Sequence, residues 1–174
     1  MIYARPTPSQ EILLPVKPAF MVATLLAALL MNLLPLSGWW LAARPDFVAL
    51  ILLFWCIEQP RRIGFVAAWL LGLLMDVADA SLLGQHALAY SILAYAGIVL
   101  HRRVQRFSVT PQVLHVIPLL LLNDAIVLVM RLLAGGDFPG YPYFAGSIVG
   151  GVLWPVLAIV LKLPQRPKPD PDHA

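Results

Sequence analysis

Residues 19–36 read AFMVATLLAALLMNLLPL, eighteen consecutive positions without a charge. Wound as a helix, such a run covers about 27 Å, close to the ~30 Å apolar core of a bilayer. Comparable runs recur to the end of the chain. The sequence therefore reads as a multi-spanning membrane protein, folded against lipid as well as against itself.

Composition agrees. Of 174 residues, 60% are hydrophobic and 12% charged, about half the ~25% charged share of a soluble domain. A water-soluble fold with so few charges would expose large apolar patches and aggregate. The length allows one domain. The net charge is only +3, with Lys and Arg scattered between apolar runs, so no nucleic acid is expected as a partner. The single cysteine, Cys56, allows neither an intrachain disulfide nor a Cys-based metal site and reads as a small apolar residue in a span. Pro6, Pro8 and Pro15 stand among polar neighbours near the start. No short apolar run there ends at a small-residue cleavage site, so the first span is expected to stay in the mature protein.

The hydropathy pattern predicts an all-α, polytopic transmembrane bundle of about six segments: 19–36, 47–57, 63–83, 87–100, 113–133 and 143–163. In lipid each segment must satisfy its own backbone, which selects helices, and none shows the period-2 alternation of a barrel strand. Eleven residues at 47–57 make only about 16 Å of helix. That segment and 87–100 must extend into flanking residues, lie buried among neighbours, or re-enter. With the N-terminus inside, ten of the twelve Lys and Arg fall on the cytoplasmic side, leaving Arg44 and Arg131 outside. That is the positive-inside pattern, and Trp39, Trp40, Tyr141 and Tyr143 then fall in the outer aromatic belt. The domain organisation that follows is a cytoplasmic tail at 1–18, a helical membrane domain at 19–163 and a cytoplasmic tail at 164–174. The tails, rich in Pro and charge, read as partly disordered.

Catalytic signatures are absent. There is no GxxxxGK[ST] phosphate loop, no HExxH zinc helix and no GxSxG nucleophile elbow. His86, His101, His115 and His173 lack metal-ligand spacing, and no cofactor is expected.

Polar residues at membrane depth carry what remains. Asp124, beside Asn123 in the fifth segment, costs ~2.5–3.5 kcal/mol on insertion scales and should face the bundle or a cavity. A partner-helix contact, a proton relay, a ligand group and a packing hydrogen bond are all open to it. Asp76 and Asp79 lie one turn apart on one face, and Gly64, Ala68, Gly72 and Asp76 form a four-residue stripe whose small members let another helix approach closely. Equally, the helix could leave the membrane near Asp76 and leave both carboxylates wet. Pro45 and Asp46 suit a helix start. Arg44, on the side that usually lacks positive charge, could pair with Asp76 or Asp79. Gly146 and Gly150 form a GxxxG in the last span, suited to close packing within the chain or between chains. Arg102, Arg103 and Arg106 anchor topology or meet anionic lipid or a cytosolic partner.

Three stretches make a familiar set: RPDFVALILLFW at 44–55, then Pro60 with Arg61-Arg62-x-Gly64, then GLLMDVADASLLGQHALAY at 72–90. The set resembles the MreD family of rod shape-determining proteins. The family's Arg-Pro-Asp, Gly-Leu-x-x-Asp and Leu-Gly-x-x-Ala-Leu patterns fall on Arg44, Pro45 and Asp46; on Gly72, Leu73 and Asp76; and on Leu83, Gly84, Ala87 and Leu88. Many members place a glycine in the turn after this aspartate, where this chain has Asp79-Ala80, so a tight glycine turn is not expected to be required here. The resemblance implies a non-enzymatic component of the bacterial inner membrane, working with MreC, MreB, RodA and a penicillin-binding transpeptidase to position lateral peptidoglycan synthesis. It also implies a fold similar to the substrate-binding membrane subunits of vitamin uptake transporters. A single-span protein like MreC is then the expected partner of the small-residue stripes near Gly64–Gly72 or Gly146–Gly150, with Arg44, Asp46 and Asp76 facing its outer segment.

Two other classes compete. A small-molecule binder would enclose a ligand among Asp76, Asp79, Gln85, His86 and Asp124. An intramembrane enzyme would need Asp124 or Asp76 beside a second acid, base or metal.

Overall fold

The computed structural model describes residues 16–35, 37–38 and 43–165. Trp39, Trp40, His173 and most of both tails lie outside the described residues. Six α-helices and two single 3-10 turns form the described chain, with no strand among them. The helices are α1 (Pro18–Asn32), α2 (Phe47–Glu58), α3 (Phe65–Ala78), α4 (Gln85–Val104), α5 (Val109–Leu133) and α6 (Ala145–Lys162). The 3-10 turns, Tyr141–Phe144 and Leu163–Gln165, extend α6 at either end. The last two units, Val109–Leu133 and Tyr141–Gln165, are long and apolar enough to cross a membrane by length and composition. The helices Pro18–Asn32, Phe47–Glu58 and Phe65–Ala78 are apolar but shorter.

The short α2 is the centre of the bundle. Every residue from Val48 to Ile57 is buried, including Phe54 and Trp55. It bears chiefly on α1 and α4, and more lightly on α5 and α6. Its uniformly apolar sequence is that of a helix enclosed all round rather than of an amphipathic one. Trp55 keeps its indole N–H satisfied by donating to Thr24 Oγ1 on α1 at 2.9 Å, and Phe20 and Phe54 meet its ring edge-on. The segment 87–100 solves its length problem differently: α4 gains residues at both ends and reaches 20 residues, about 30 Å.

The outer surface is apolar. Val22, Leu26 and Leu30 on α1, and Val152, Val156 and Val160 on α6, are exposed. A contiguous apolar exterior of this kind suits acyl chains and not water. α3 stands apart from the rest: its one extensive contact is with α4, and Val66, Trp69, Leu70, Leu74 and Val77 along its free flank are exposed.

The third helix ends earlier than hydropathy predicts. Asp79 is its C-cap, and Ala80 takes φ 49°, the left-handed region that ordinarily selects glycine. The turn therefore has the backbone that favours glycine even though alanine fills it, which corrects the expectation drawn from Asp79-Ala80.

Candidate functional site: a polar cavity at one end of the bundle

The C-terminal ends of α1, α3 and α5 and the N-terminal ends of α2, α4 and α6 converge at one end of the bundle. Two carboxylates cap the helices that start there. Asp46 is the N-cap of α2 and accepts from the Ala49 N–H at 3.0 Å. The same carboxylate accepts from Asn32 Nδ2 and from the Tyr90 hydroxyl, each at 2.8 Å. Asn32 returns the favour to α2, its Oδ1 accepting from the Phe47 N–H at 3.0 Å. Asp46 thereby ties α1, α2 and α4 together.

Asp76 does the equivalent for α4 from the neighbouring helix. Its carboxylate accepts backbone N–H bonds from Gly84 at 2.8 Å, His86 at 2.7 Å and Ala87 at 3.4 Å. His86 Nδ1 lies 2.9 Å away, and Ser81 Oγ donates at 3.2 Å. A carboxylate satisfied by backbone donors at a helix N-terminus is favoured by both hydrogen bonding and the helix dipole. Gly72, one turn earlier, makes the reach possible: a Cβ there would collide with the Ala87 backbone. The Gly72-Leu73-x-x-Asp76 and Leu83-Gly84-x-x-Ala87 motifs are thus two halves of one contact.

These placements revise several sequence expectations. Ala68 and Gly72 are buried within the chain, so the stripe packs inwards from Ala68 onward and only Gly64 remains exposed and uncontacted. Gly146 and Gly150 pack inwards too. A Cβ on Gly146 would meet the Arg44 carbonyl oxygen at 2.5 Å, and one on Gly150 would meet Leu120 at 3.2 Å and Pro45 at 3.3 Å. Both small-residue motifs are already filled by the chain's own helices. Arg44 pairs with neither Asp76 nor Asp79. Its guanidinium donates to the carbonyls of Asn32 at 2.5 Å and Leu34 at 3.3 Å, capping the C-terminus of α1, where a cation suits the dipole.

Asp124 faces this end as well. Its Oδ2 accepts from Ser147 Oγ at 2.5 Å, in the first turn of α6, and the Tyr143 hydroxyl donates to its carbonyl at 3.4 Å. It therefore lies level with the start of α6 and not at the midpoint of the bundle. Between these groups is a cavity of about 510 Å3. Asp46, Asp79, His86, Asp124, Arg44 and Arg131 all contribute to its wall, whereas Asp76 and Gln85 do not. Among the described residues no three His, Cys, Asp or Glu side chains could together hold a metal ion. Sequence reasoning missed Asn32, Tyr90 and Ser147. Asn32 alone left a signal, a lone amide near the end of an otherwise apolar run.

The match to known proteins falls on this architecture. The family model for rod shape-determining protein MreD matches residues 16–163. The chain belongs to the MreD family. A curated relative, the rod shape-determining protein MreD of Haemophilus influenzae, is 24% identical over 123 residues, covering 71% of this chain and 76% of the relative. No solved structure matches. The family assignment brings a role in rod-shape determination.

Proposed function

We propose that this MreD-family chain is a non-catalytic, six-span scaffold of the inner-membrane cell-elongation machinery, with both termini in the cytoplasm. It docks a single-span protein like MreC, and with it MreB, RodA and a penicillin-binding transpeptidase, and so helps to position lateral peptidoglycan synthesis. The observation that carries this reading is the family match across nearly the whole described chain. The alternating convergence of helix ends at the cavity supports six crossings, and the orientation is supported because six crossings would put ten of the twelve basic residues on one side.

Because the small-residue motifs are filled internally, the docking face moves to α3. That helix packs on α4 alone among its major contacts and leaves Val66, Leu70 and Leu74 open. A partner span lying along this flank would bury apolar surface that the chain's own helices leave open.

The test is cysteine cross-linking in native membranes, in a Cys56→Ser background. Val66→Cys and Leu70→Cys on α3 are expected to cross-link to the MreC span, while Val152→Cys on α6 is not. Cross-links from α6 alone would move the docking face. Recovery of a tagged chain with an ATPase pair and without cell-wall proteins would overturn the scaffold reading in favour of a substrate-binding transporter subunit.

A further inference from the structure

The exposed positions of α4 fall on one line. Leu88, Ile92, Tyr95 and Val99 are 36–67% exposed, and their alternating spacing of four and three residues keeps them on a single face. The same spacing continues to Arg102 and Arg106, with Arg103 beside them, and all three are exposed. Arg106 lies beyond the helix, but the turn keeps the winding. Its N–H donates to the Arg103 carbonyl at 3.3 Å, and the Phe107 N–H donates to the Val104 carbonyl at 3.1 Å. Gly97, on the opposite face, meets Leu53 and Cys56 of α2. α3 and α5 both pack extensively on α4 and not on each other. The line is therefore the floor of a groove between α3 and α5.

The end of the bundle that this groove runs to is short of counterions. Among the described residues, Lys17, Arg61, Arg62 and Lys162 lie there with the three arginines, against one carboxylate, Glu58. Glu58 is taken by Lys162 at 2.8 Å, and the other ion pairs belong to His86 at the cavity end. Positions 1–15 and 166–174 carry three Lys or Arg and three Asp or Glu, so they bring no net charge. Residues 105–108 alone join α4 to α5, which keeps the guanidinium groups level with the helix ends, at headgroup depth. Positive-inside topology asks only for basic residues near a span. It does not ask for three of them at the foot of an exposed apolar line.

We propose that the α4 groove binds one anionic phospholipid, its phosphate on Arg102, Arg103 and Arg106 and an acyl chain along Val99, Tyr95 and Ile92. The length fits. Leu88 to Val99 covers about 16 Å, the depth of one leaflet in a ~30 Å apolar core. Guanidinium groups make strong, charge-assisted hydrogen bonds to phosphate, and basic residues at span ends attract anionic headgroups. A soluble acidic protein would meet the arginines and leave the apolar line unused. This site is separate from the cavity and from the outer flank of α3.

The test is native mass spectrometry of the full chain released from detergent micelles, after it is offered equal amounts of dioleoyl phosphatidylglycerol and dioleoyl phosphatidylcholine. The two lipids share their chains and their phosphate, but choline adds a cation that the arginines repel. One phosphatidylglycerol is expected to be retained about 10-fold over phosphatidylcholine. A large excess of glycerol phosphate, the headgroup without chains, is not expected to displace it. The double variant Arg102→Gln/Arg106→Gln should bring the two lipids to near-equal retention. Lys17→Gln/Arg61→Gln removes as much charge from the same end and should leave the preference unchanged. Equal retention by the wild-type chain leaves the arginines to a protein partner and overturns the proposal. Displacement by glycerol phosphate overturns it in favour of a plain phosphate site, and equal losses in the two double variants overturn it in favour of a diffuse field. The wild-type measurements need no variant, so a variant that fails to fold does not remove the test.

Discussion

The two ends of the bundle use polar residues in opposite ways. At the end away from the cavity, polar side chains close the structure. Gln105 donates to the Ile57 carbonyl at 2.8 Å, Arg62 donates to the Val16 carbonyl, and Gln165 donates to the Leu161 carbonyl at 2.9 Å. Lys162 and Glu58 form a 2.8 Å ion pair between α6 and α2, and the Trp154 indole donates to Gln112 Oε1 at 3.0 Å. At the cavity end, Asp46 and Asp76 also cap helices, but the groups around them face an open volume. At the far end Gln105 and Gln165 donate to carbonyls at helix C-termini, and at the cavity end Asp46 and Asp76 accept from amides at helix N-termini, as the dipole favours. The difference lies in whether the space between the caps is filled. The far end spends the polar groups between its helices on stability, whereas the cavity end keeps part of its polarity available.

The comparison can be broken most forcefully at the contact that supports the cavity. Gly72→Ala puts a Cβ into the Ala87 backbone and pushes Asp76 away from the amides it caps. A loss of about 3 kcal/mol or more is expected, since overpacking and loss of a cap add. Cys56 provides the readout: it is fully buried in α2 and reacts with a maleimide dye only when the bundle opens. The midpoint of labelling on heating should fall further for Gly72→Ala than for any other single change named here. Asp76→Ala is next, leaving three backbone N–H groups without their acceptor; about 2–3 kcal/mol is expected, with Asp76→Asn intermediate, read by the same dye.

At the closed end the effects should be smaller. Gln112→Leu strands the buried Trp154 N–H and should cost about 1–2 kcal/mol, again measured as a shift in the labelling midpoint. Lys162→Met removes an ion pair whose two side chains are 22% and 12% exposed. A partly solvated pair of this kind is worth about 0.5–1 kcal/mol. Should Lys162→Met destabilise more than Asp76→Ala, the assignment of the main structural cap to the cavity end is wrong. The smallest change has the opposite sign. Ala80→Gly relieves a left-handed alanine and should raise the midpoint by the equivalent of about 0.5–1 kcal/mol.

Much of the helical order was legible in the sequence because lipid imposes it. An uncharged run that must satisfy its own backbone has one local solution, and each of the six expected segments overlaps a helix. The remedies foreseen for the short segments both occur, burial for α2 and extension for α4. Boundaries were less legible. The third segment runs apolar past Asp79, but a turn at Ala80 ends it, and nothing in hydropathy marks a left-handed alanine. The candidate site was half legible. Asp46, Asp76 and Asp124 stood out because carboxylates are expensive in an apolar chain, yet their partners are mostly backbone amides and a scattered asparagine, tyrosine and serine. Hydrogen bonds across 10 to 44 residues of sequence leave no local trace. The small-residue stripes were ambiguous for a related reason: close packing looks the same in sequence whether the neighbour is a partner's helix or the chain's own.

The enclosure of α2 has a consequence for how the protein is made. Its 12 residues reach only about 18 Å, and three of the helices that surround it, α4, α5 and α6, are translated after it. At ribosomal speeds of ~5–20 residues per second, about 5–20 s separate the emergence of α2 from completion of its wall. During that interval the helix is too short to rest across the bilayer by itself and has no finished bundle to enter. The nascent chain must hold it beside α1 or within the insertion machinery until α4 arrives, so a ribosome that stalls before residue 85 leaves a chain whose centre is still on its outside.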